Sequence, residues 1–495
     1  MHLINASSAV SLYGVAACRQ IEHLVMRPLP ARTLMQRAGL AVARLALALA
    51  PHARVVWVAC GPGNNGGDGF EAALHLLRMG KQPVVTWLGS LSAAPADAAA
   101  AFERATSAGV PFADHPPAQF DLAIDAMLGI GAKPVQSDSR MADWIACINA
   151  SAVPVLAVDV PTGLNADTGA ASPVCITATH TLCLLTPKPG LFTAQGRDAA
   201  GTVWLDMLGT ARTLANAPDR PAPDARLPGL PPGDTPRHDC HKGSLGDVAV
   251  VGGASGMTGA ALLAARAALS GGAGRVYVCL QSPNAMTVDE QQPELMFRSL
   301  ETLATDTMTV VCGCGGGAAI AHCLPTLLAS PSPLVLDADA LNAIAADPAL
   351  QRLACNRTAA TVMTPHPLEA ARLLACHTAQ VQADRLASAA QIAQRYGCTV
   401  VLKGSGSIIA QTGQTPVICP TGCARLATAG TGDVLAGMIG CRLAGGQSAL
   451  DAACWAVYQH GHLADHWPAH TPLTASALAR AVTSQYNNNN KLNTP

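Results

Sequence analysis

The sequence predicts an α/β protein of two doubly wound domains, and three observations carry that expectation. Half of its 495 residues are hydrophobic and only 3% are aromatic. Its cores must therefore come from Ala, Val, Leu and Ile, as where helices pack closely on parallel strands. Short apolar runs without alternation recur between Ala/Leu-rich stretches in both halves, the pattern of strands covered on both faces. A proline-rich stretch then divides a chain long enough for two or three domains.

In the first half the strand candidates are Val55–Ala59, Val84–Leu88, Leu122–Asp125 and Val155–Val160. In the second they are Asp247–Val251, Arg275–Leu280, Thr309–Cys312, Leu334–Asp337, Ala360–Thr364 and Thr399–Lys403. Seven prolines between Pro218 and Pro236 predict an extended connector, so residues 1–215 and 238–485 are read as domains around a 216–237 linker. The polar segment 486–495 reads as a disordered tail.

A formal net charge of −1 excludes a basic footprint for nucleic acid or anionic membrane. The first residues lack the layout of a signal peptide, and the apolar stretch Leu40–Ala50 is interrupted by Arg44 and too short to span a bilayer. Seventeen cysteines, without a C-x-x-C pair, predict reduced thiols and a cytoplasmic setting.

In open α/β sheets ligands bind beyond the carboxyl ends of strands, so the loops there matter most. Three in the first half carry chemistry: Gly61–Gly69 (GPGNNGGDG) ahead of a helix expected at Phe70–Met79, Asp125–Val135 (DAMLGIGAKPV), and Asp159–Asp167 (DVPTGLNAD). Each alone is ordinary turn chemistry. Three such ends in one domain converge on one sheet edge. Asn65, Asp125 and Thr162 offer hard oxygens that suit an alkali or alkaline-earth cation rather than zinc.

In the second half, Ala427–Gly437 contains AGTGD (Ala429–Asp433) before an apolar helix expected at Val434–Ile439. Small residues at a helix N-terminus aim backbone N–H groups at a phosphate. Asp433 stands where a carboxylate can take the proton of an attacking hydroxyl. The bland alternative is an N-cap aspartate, which does not require two glycines and three small residues before it. His238, Cys240 and His241 lack a second cluster with zinc spacing. His460, His462, His466 and His470 recur near helical period, and satisfied or solvated histidines account for them.

With these residues in view, the first half resembles the NAD(P)H-hydrate epimerase family: NNGGDG, the D-A-x-x-G-x-G strand end, the D-x-P-T-G-L-N-A-D-T-G segment, Leu182–Gly190 (LCLLTPKPG) and Leu34–Ala43 fall in its order. The resemblance implies a Rossmann-like three-layer fold. It implies a hydrated-dinucleotide site of Asn64, Asn65, Gly66, Gly67 and Asp68 with Gly129, Ile130, Gly131, Ala132, Lys133, Pro134 and Val135. It further implies potassium on Asn65, Asp125 and Thr162, and Asp159 as substrate contact and proton-transfer group.

The second half resembles the ADP-dependent NAD(P)H-hydrate dehydratase family, with a ribokinase-like fold, from about His241 to about His470. That resemblance assigns Lys403, Gly404, Ser405, Gly406, Ser407 and Gly432 to the adenine nucleotide, and Ala260, Gly315, His366 and Asp433 to the hydrated dinucleotide. It implies phosphoryl transfer from ADP to the C6 hydroxyl of the hydrated ring, loss of phosphate, magnesium for charge neutralisation, and a homo-oligomer. Cys314 stands where the family usually has proline, and on the sequence alone it does not touch Asp433. The other readings are a ribokinase-type ATP-dependent kinase of a small hydroxymethyl substrate, and a nucleotide-binding sensor without activity.

Overall fold

The computed structural model describes residues 1–131, 135–232, 238–283 and 285–483. The chain forms two compact units, Met1–Arg226 and Leu227–Pro495. Ala132, Lys133 and Pro134, the end of the proline-rich stretch and the polar tail lie outside the described residues. The strand Ala225–Pro228 falls within the stretch expected to be a connector.

The first unit is built on an eight-stranded sheet. From edge to edge it runs His2–Leu3, Thr202–Asp206, His180–Leu184, Val155–Val158, Leu122–Ala126, Val55–Cys60, Gln82–Trp87 and Phe112–Ala113. All neighbours are parallel except the first pair. Both faces are covered. Helices Thr33–Leu49, Asn64–Arg78 and Ala96–Ser107 bury Val42, Phe70 and Leu74 on one. Arg140–Ala150 packs Trp144 and Ile148 against Trp57 on the other. The three strands whose ends carry chemistry lie side by side, so their loops emerge at one edge as the sequence required.

One expectation fails. The helix begins at Asn64, not Phe70, so residues 64–69 of the segment read as a glycine loop form its first turn and a half. The glycines there serve close packing rather than positive φ. A Cβ on Gly66 would lie 2.1 Å from the Gly61 carbonyl oxygen, one on Gly67 2.7 Å from the Met35 side chain, and one on Gly69 2.6 Å from Cys60 Sγ. Tertiary contact overrides the poor helix propensity of Asn and Gly.

In the second unit, Met296–Phe297, Arg275–Leu280, Asp247–Gly252, Thr309–Cys312, Leu334–Leu336, Thr361–Met363 and Thr399–Leu402 form a parallel run. Ile408–Ala410 and Val417–Ile418 extend it antiparallel. Helix Thr431–Ala444 crosses helix Thr258–Ser270 so closely that a Cβ on Gly437 would lie 2.0 Å from the Ala264 carbonyl oxygen. All seventeen cysteines are free. Among the described residues no helix is long and apolar enough to cross a membrane.

Candidate functional site

Each unit carries a cluster of polar groups at the carboxyl ends of its parallel strands. In the first, Asp125 is fully buried at the end of Leu122–Ala126. Its Oδ1 accepts from Thr162 Oγ1 at 2.7 Å and from the Met127 N–H at 3.2 Å, and its Oδ2 from the Thr162 N–H at 2.8 Å. Thr162 Oγ1 in turn accepts from the Leu128 N–H at 3.0 Å. Burial outweighs these hydrogen bonds and pushes the Asp125 carboxyl up to about 6. Asn65 is buried nearby, its side chain 3.5 Å from where a Gly129 Cβ would stand, and its Nδ2 has no partner.

Asp159 follows the neighbouring strand in the left-handed region, φ 69°. That conformation is rare for a residue with a Cβ and marks a position the surroundings over-determine. Its carboxylate accepts from the Leu184 N–H at 3.1 Å and forms an ion pair with the buried Lys188 ammonium. Burial opposes the charge on Lys188, but Asp159 more than compensates and holds the ammonium above the usual lysine range.

A cleft of about 460 Å³ opens over these groups. Of the residues that the resemblance assigned, Asn64, Asn65, Asp68, Gly129, Ile130, Gly131 and Asp159 line it. Gly66 and Gly67 do not, being engaged in helix packing, and Val135 is buried in the apolar cluster with Trp57 and Trp144. Lys188, Cys18, Arg19 and Glu22 also line the cleft and had no assigned role. Lys188 lay in plain sight in LCLLTPKPG, without a signal for its partner.

In the second unit, helix Thr431–Ala444 starts one residue after its left-handed Gly430, φ 89°, three residues earlier than expected. Asp433 is therefore in the first turn rather than at the cap. Burial first, then repulsion from Asp337, pushes its carboxyl up to about 7, against the lowering effects of the Cys314 thiol and Lys403. A group near neutrality is well matched to general-base work.

Asp337, after Leu334–Leu336, anchors this cluster: it accepts from Lys403 Nζ at 2.7 Å and from Thr364 Oγ1 at 2.8 Å. Lys403 also lies 3.8 Å from Glu369, and 3.5 Å from where a Gly432 Cβ would stand. Cys314, Asp337 and Asp433 bring their donor atoms within 4.8 Å of one another. Cys314 thus touches the candidate base through its thiol, contrary to the sequence expectation.

Gly315 and Ala260 meet where two glycine-rich turns join, with the Ala254 N–H donating to the Gly315 carbonyl at 2.7 Å. A Cβ on Gly315, φ 58°, would come 2.9 Å from Ala260 Cβ. His366 caps helix Pro367–Leu374: its Nδ1 accepts from the Leu368 and Glu369 N–H groups, and Glu369 Oε2 accepts from the His366 N–H at 2.7 Å. The Lys403–Ser407 turn closes on itself, the Gly404 N–H donating to Ser407 Oγ at 3.3 Å. Beneath it the buried Arg385 guanidinium donates to the Leu402 and Lys403 carbonyls at 3.2 Å each. Asp337, Glu369 and Arg385 were missed as participants; only the strand end LVLD hinted at the first. His460 is a satisfied core histidine, its Nε2 2.9 Å from the Thr431 carbonyl oxygen.

Comparison with known proteins matches residues 248–485 to the family described as NAD(P)H-hydrate dehydratase and residues 31–190 to that described as YjeF-related protein N-terminus. The chain is 37% identical over 447 residues to the bifunctional NAD(P)H-hydrate repair enzyme Nnr of Escherichia coli (strain K12), covering 87% of this chain and 84% of that one. To the protein of the same name from Coxiella burnetii it is 35% identical over 473 residues, covering 92% and 94%. Among solved structures it is similar to an ADP/ATP-dependent NAD(P)H-hydrate dehydratase from Bacillus subtilis co-crystallised with ATP and Mg2+, at 27% identity, over 50% of this chain and 91% of that one, TM-score 0.42.

Proposed function

The chain belongs to the bifunctional NAD(P)H-hydrate repair enzymes, and from that footing we propose which of its residues carry the two reactions. It acts as NAD(P)H-hydrate epimerase and as ADP-dependent NAD(P)H-hydrate dehydratase, returning damaged cofactor to use. Residues 1–215 form the epimerase domain and 238–485 the dehydratase domain.

In dehydration, Asp433 takes the proton of the C6 hydroxyl as that oxygen attacks the terminal phosphoryl group of ADP. AMP leaves, and phosphate, a far better leaving group than hydroxide, then departs to restore the ring. The observation that carries this reading is the Asp433 carboxyl, pushed up to about 7 in the first turn of a helix, whose N-terminus is suited to a phosphate. Lys403 supplies positive charge to that phosphate, Gly404–Ser407 and Gly432 its backbone cradle, and Ala260, Gly315 and His366 the wall for the dinucleotide.

Magnesium belongs here as the companion of the nucleotide. Asp337 is engaged by Lys403 and Thr364, and the Cys314 thiol is a poor ligand for a hard cation. These residues fit an ion carried by the phosphates rather than a protein cage. Bound there, it neutralises phosphate charge.

In the epimerase cleft, Asn64, Asn65, Asp68 and the loop beginning at Gly129, Ile130 and Gly131 hold the hydrated dinucleotide, and Asp159 handles protons at the ring. Potassium fits Asn65, Asp125 and Thr162. The buried Asp125 carboxyl has no ion-pair partner among the described residues, and the unpartnered Asn65 amide can turn its oxygen inward. Bound there, the ion supplies a fixed positive charge under the cleft. Free thiols support a reducing cytoplasm, and the assembly is proposed to be a homo-oligomer.

The test is to incubate the protein with NADPH hydrate and follow the reduced-nicotinamide absorbance. ADP-dependent recovery, with both epimers consumed, supports the reading. A stable phosphorylated product, or no recovery with ADP or ATP, overturns it.

A further inference from the structure

The epimerase reading leaves open how the configuration at C6 is inverted. The C6 hydroxyl sits on a carbon bonded to ring N1, so the hydrated ring is a cyclic hemiaminal. Inversion through ring opening needs two protons moved in opposite senses. A base removes the hydroxyl proton as the C6=O bond forms and the C6–N1 bond breaks. The electron pair goes to N1, which takes a proton from an acid. The open-chain aldehyde rotates, N1 adds to the other face of the carbonyl, and the two protons return to where they came from. No oxidant, reductant or co-reactant enters. The requirement is two groups at one cleft in opposite protonation states.

The cleft offers two carboxyl groups, from different elements, for these roles. Asp159 is ion-paired with Lys188, accepts from the Leu184 N–H, and is fixed by its left-handed backbone. Asp68 comes from a different element, helix Asn64–Arg78, and lines the same cleft. It lies beyond the helix's first turn, so neither capping nor the helix dipole explains a carboxyl there. Its carboxyl makes no hydrogen bond with any described residue.

We propose that Asp68 is the general acid that protonates N1 while Asp159 is the base for the C6 hydroxyl, epimerisation passing through the ring-opened aldehyde. The surroundings favour the acid form of Asp68: burial acts first, then the Asp159, Glu22 and Glu71 carboxylates, with Lys188 opposing. Asp97 and the Arg19 guanidinium also line the cleft, and the buried Cys60 thiol lies behind the helix. Burial and these carboxylates, of which Glu71 is itself paired with Arg104, outweigh Lys188 and keep the Asp68 proton available well above the ordinary carboxylate range. This assignment rests on the epimerase function of the cleft.

The test uses the full chain without ADP, so that dehydration is silent. A purified single epimer of NADPH hydrate is supplied, and the approach to the equilibrium mixture is followed by chromatography across pH. The wild-type rate falls on the alkaline side as Asp68 loses its proton. Asp68→Asn slows interconversion by at least about a hundredfold at every pH. Asp68→Glu retains activity with its alkaline limb displaced. O-methylhydroxylamine, a carbonyl trap, captures aldehyde faster with wild type than with Asp68→Asn. An Asp68→Asn variant with the wild-type rate and alkaline limb overturns the assignment, as does an Asp68→Glu variant with an unmoved limb. If the wild-type chain does not interconvert the epimers above the spontaneous rate, it is the epimerase reading that falls.

Discussion

Asp337 and Lys403, sixty-six residues apart in the chain, meet at 2.7 Å beside the first turn of the helix that carries Asp433. The pair does two things at once. It holds the ammonium beside the helix N-terminus proposed to receive the phosphate, and it sets a negative charge near Asp433, raising its affinity for a proton.

The first prediction concerns that charge. In the proposed mechanism Asp433 acts as its carboxylate, so ADP-dependent recovery should fall as pH drops through about 7. In Asp337→Asn the repulsion is gone and Lys403 is released toward Asp433, and both changes lower its pKa. The acid limb of the rate profile should move to lower pH, with a higher KM for ADP. An unmoved limb would remove Asp337 from this role.

Cys314→Ala should act in the opposite direction. The thiol stabilises the Asp433 carboxylate by a hydrogen bond, and deleting it raises the pKa. The acid limb should shift upward, and the same pH profile checks it.

Asp433→Asn removes the base altogether. Recovery of both epimers with ADP should fall by about a hundredfold or more, the usual scale for a lost general base. Interconversion of the epimers without ADP, read by chromatography, should continue at the wild-type rate.

Asp159→Asn should separate the two activities the other way. The epimer used directly by the dehydratase should be recovered normally, and the other should slow toward the spontaneous rate. Equal loss of both in the absorbance assay would refute the domain assignment.

Thr162→Val deletes the hydroxyl that donates to Asp125 and accepts from the Leu128 N–H. Leaving those buried groups unsatisfied should cost about 1–3 kcal/mol. Thermal unfolding in potassium and in choline salts should show a lower Tm and a smaller difference between the two salts. A variant that retains the full potassium effect would exclude Thr162 as a ligand.

The sequence made the parallel strands legible because doubly covered strands leave unbroken apolar runs such as VVWVA and LVLD. It made Asp125 and Asp159 legible because each ends or follows such a run, and Asp433 because it closes AGTGD ahead of an apolar helix. It could not show where helix Asn64–Arg78 starts, since Asn and Gly disfavour helices locally and only the packing against Gly61, Met35 and Cys60 reverses that. Nor could it show that Lys188 serves Asp159 or that Asp337 serves Lys403. Those partners lie twenty-nine and sixty-six residues away, and their pairing depends on the order of the strands in the sheet.

The contact glycines of the epimerase helix have a practical consequence for anyone who would redesign its cleft. Gly66, Gly67 and Gly69 each face atoms that a single methyl group would strike. Saturation libraries through NNGGDG should therefore return unfolded protein at those three positions, whatever the screen selects for. Diversity belongs instead at Arg19, Glu22 and Ile130, which border the opening without supporting the sheet.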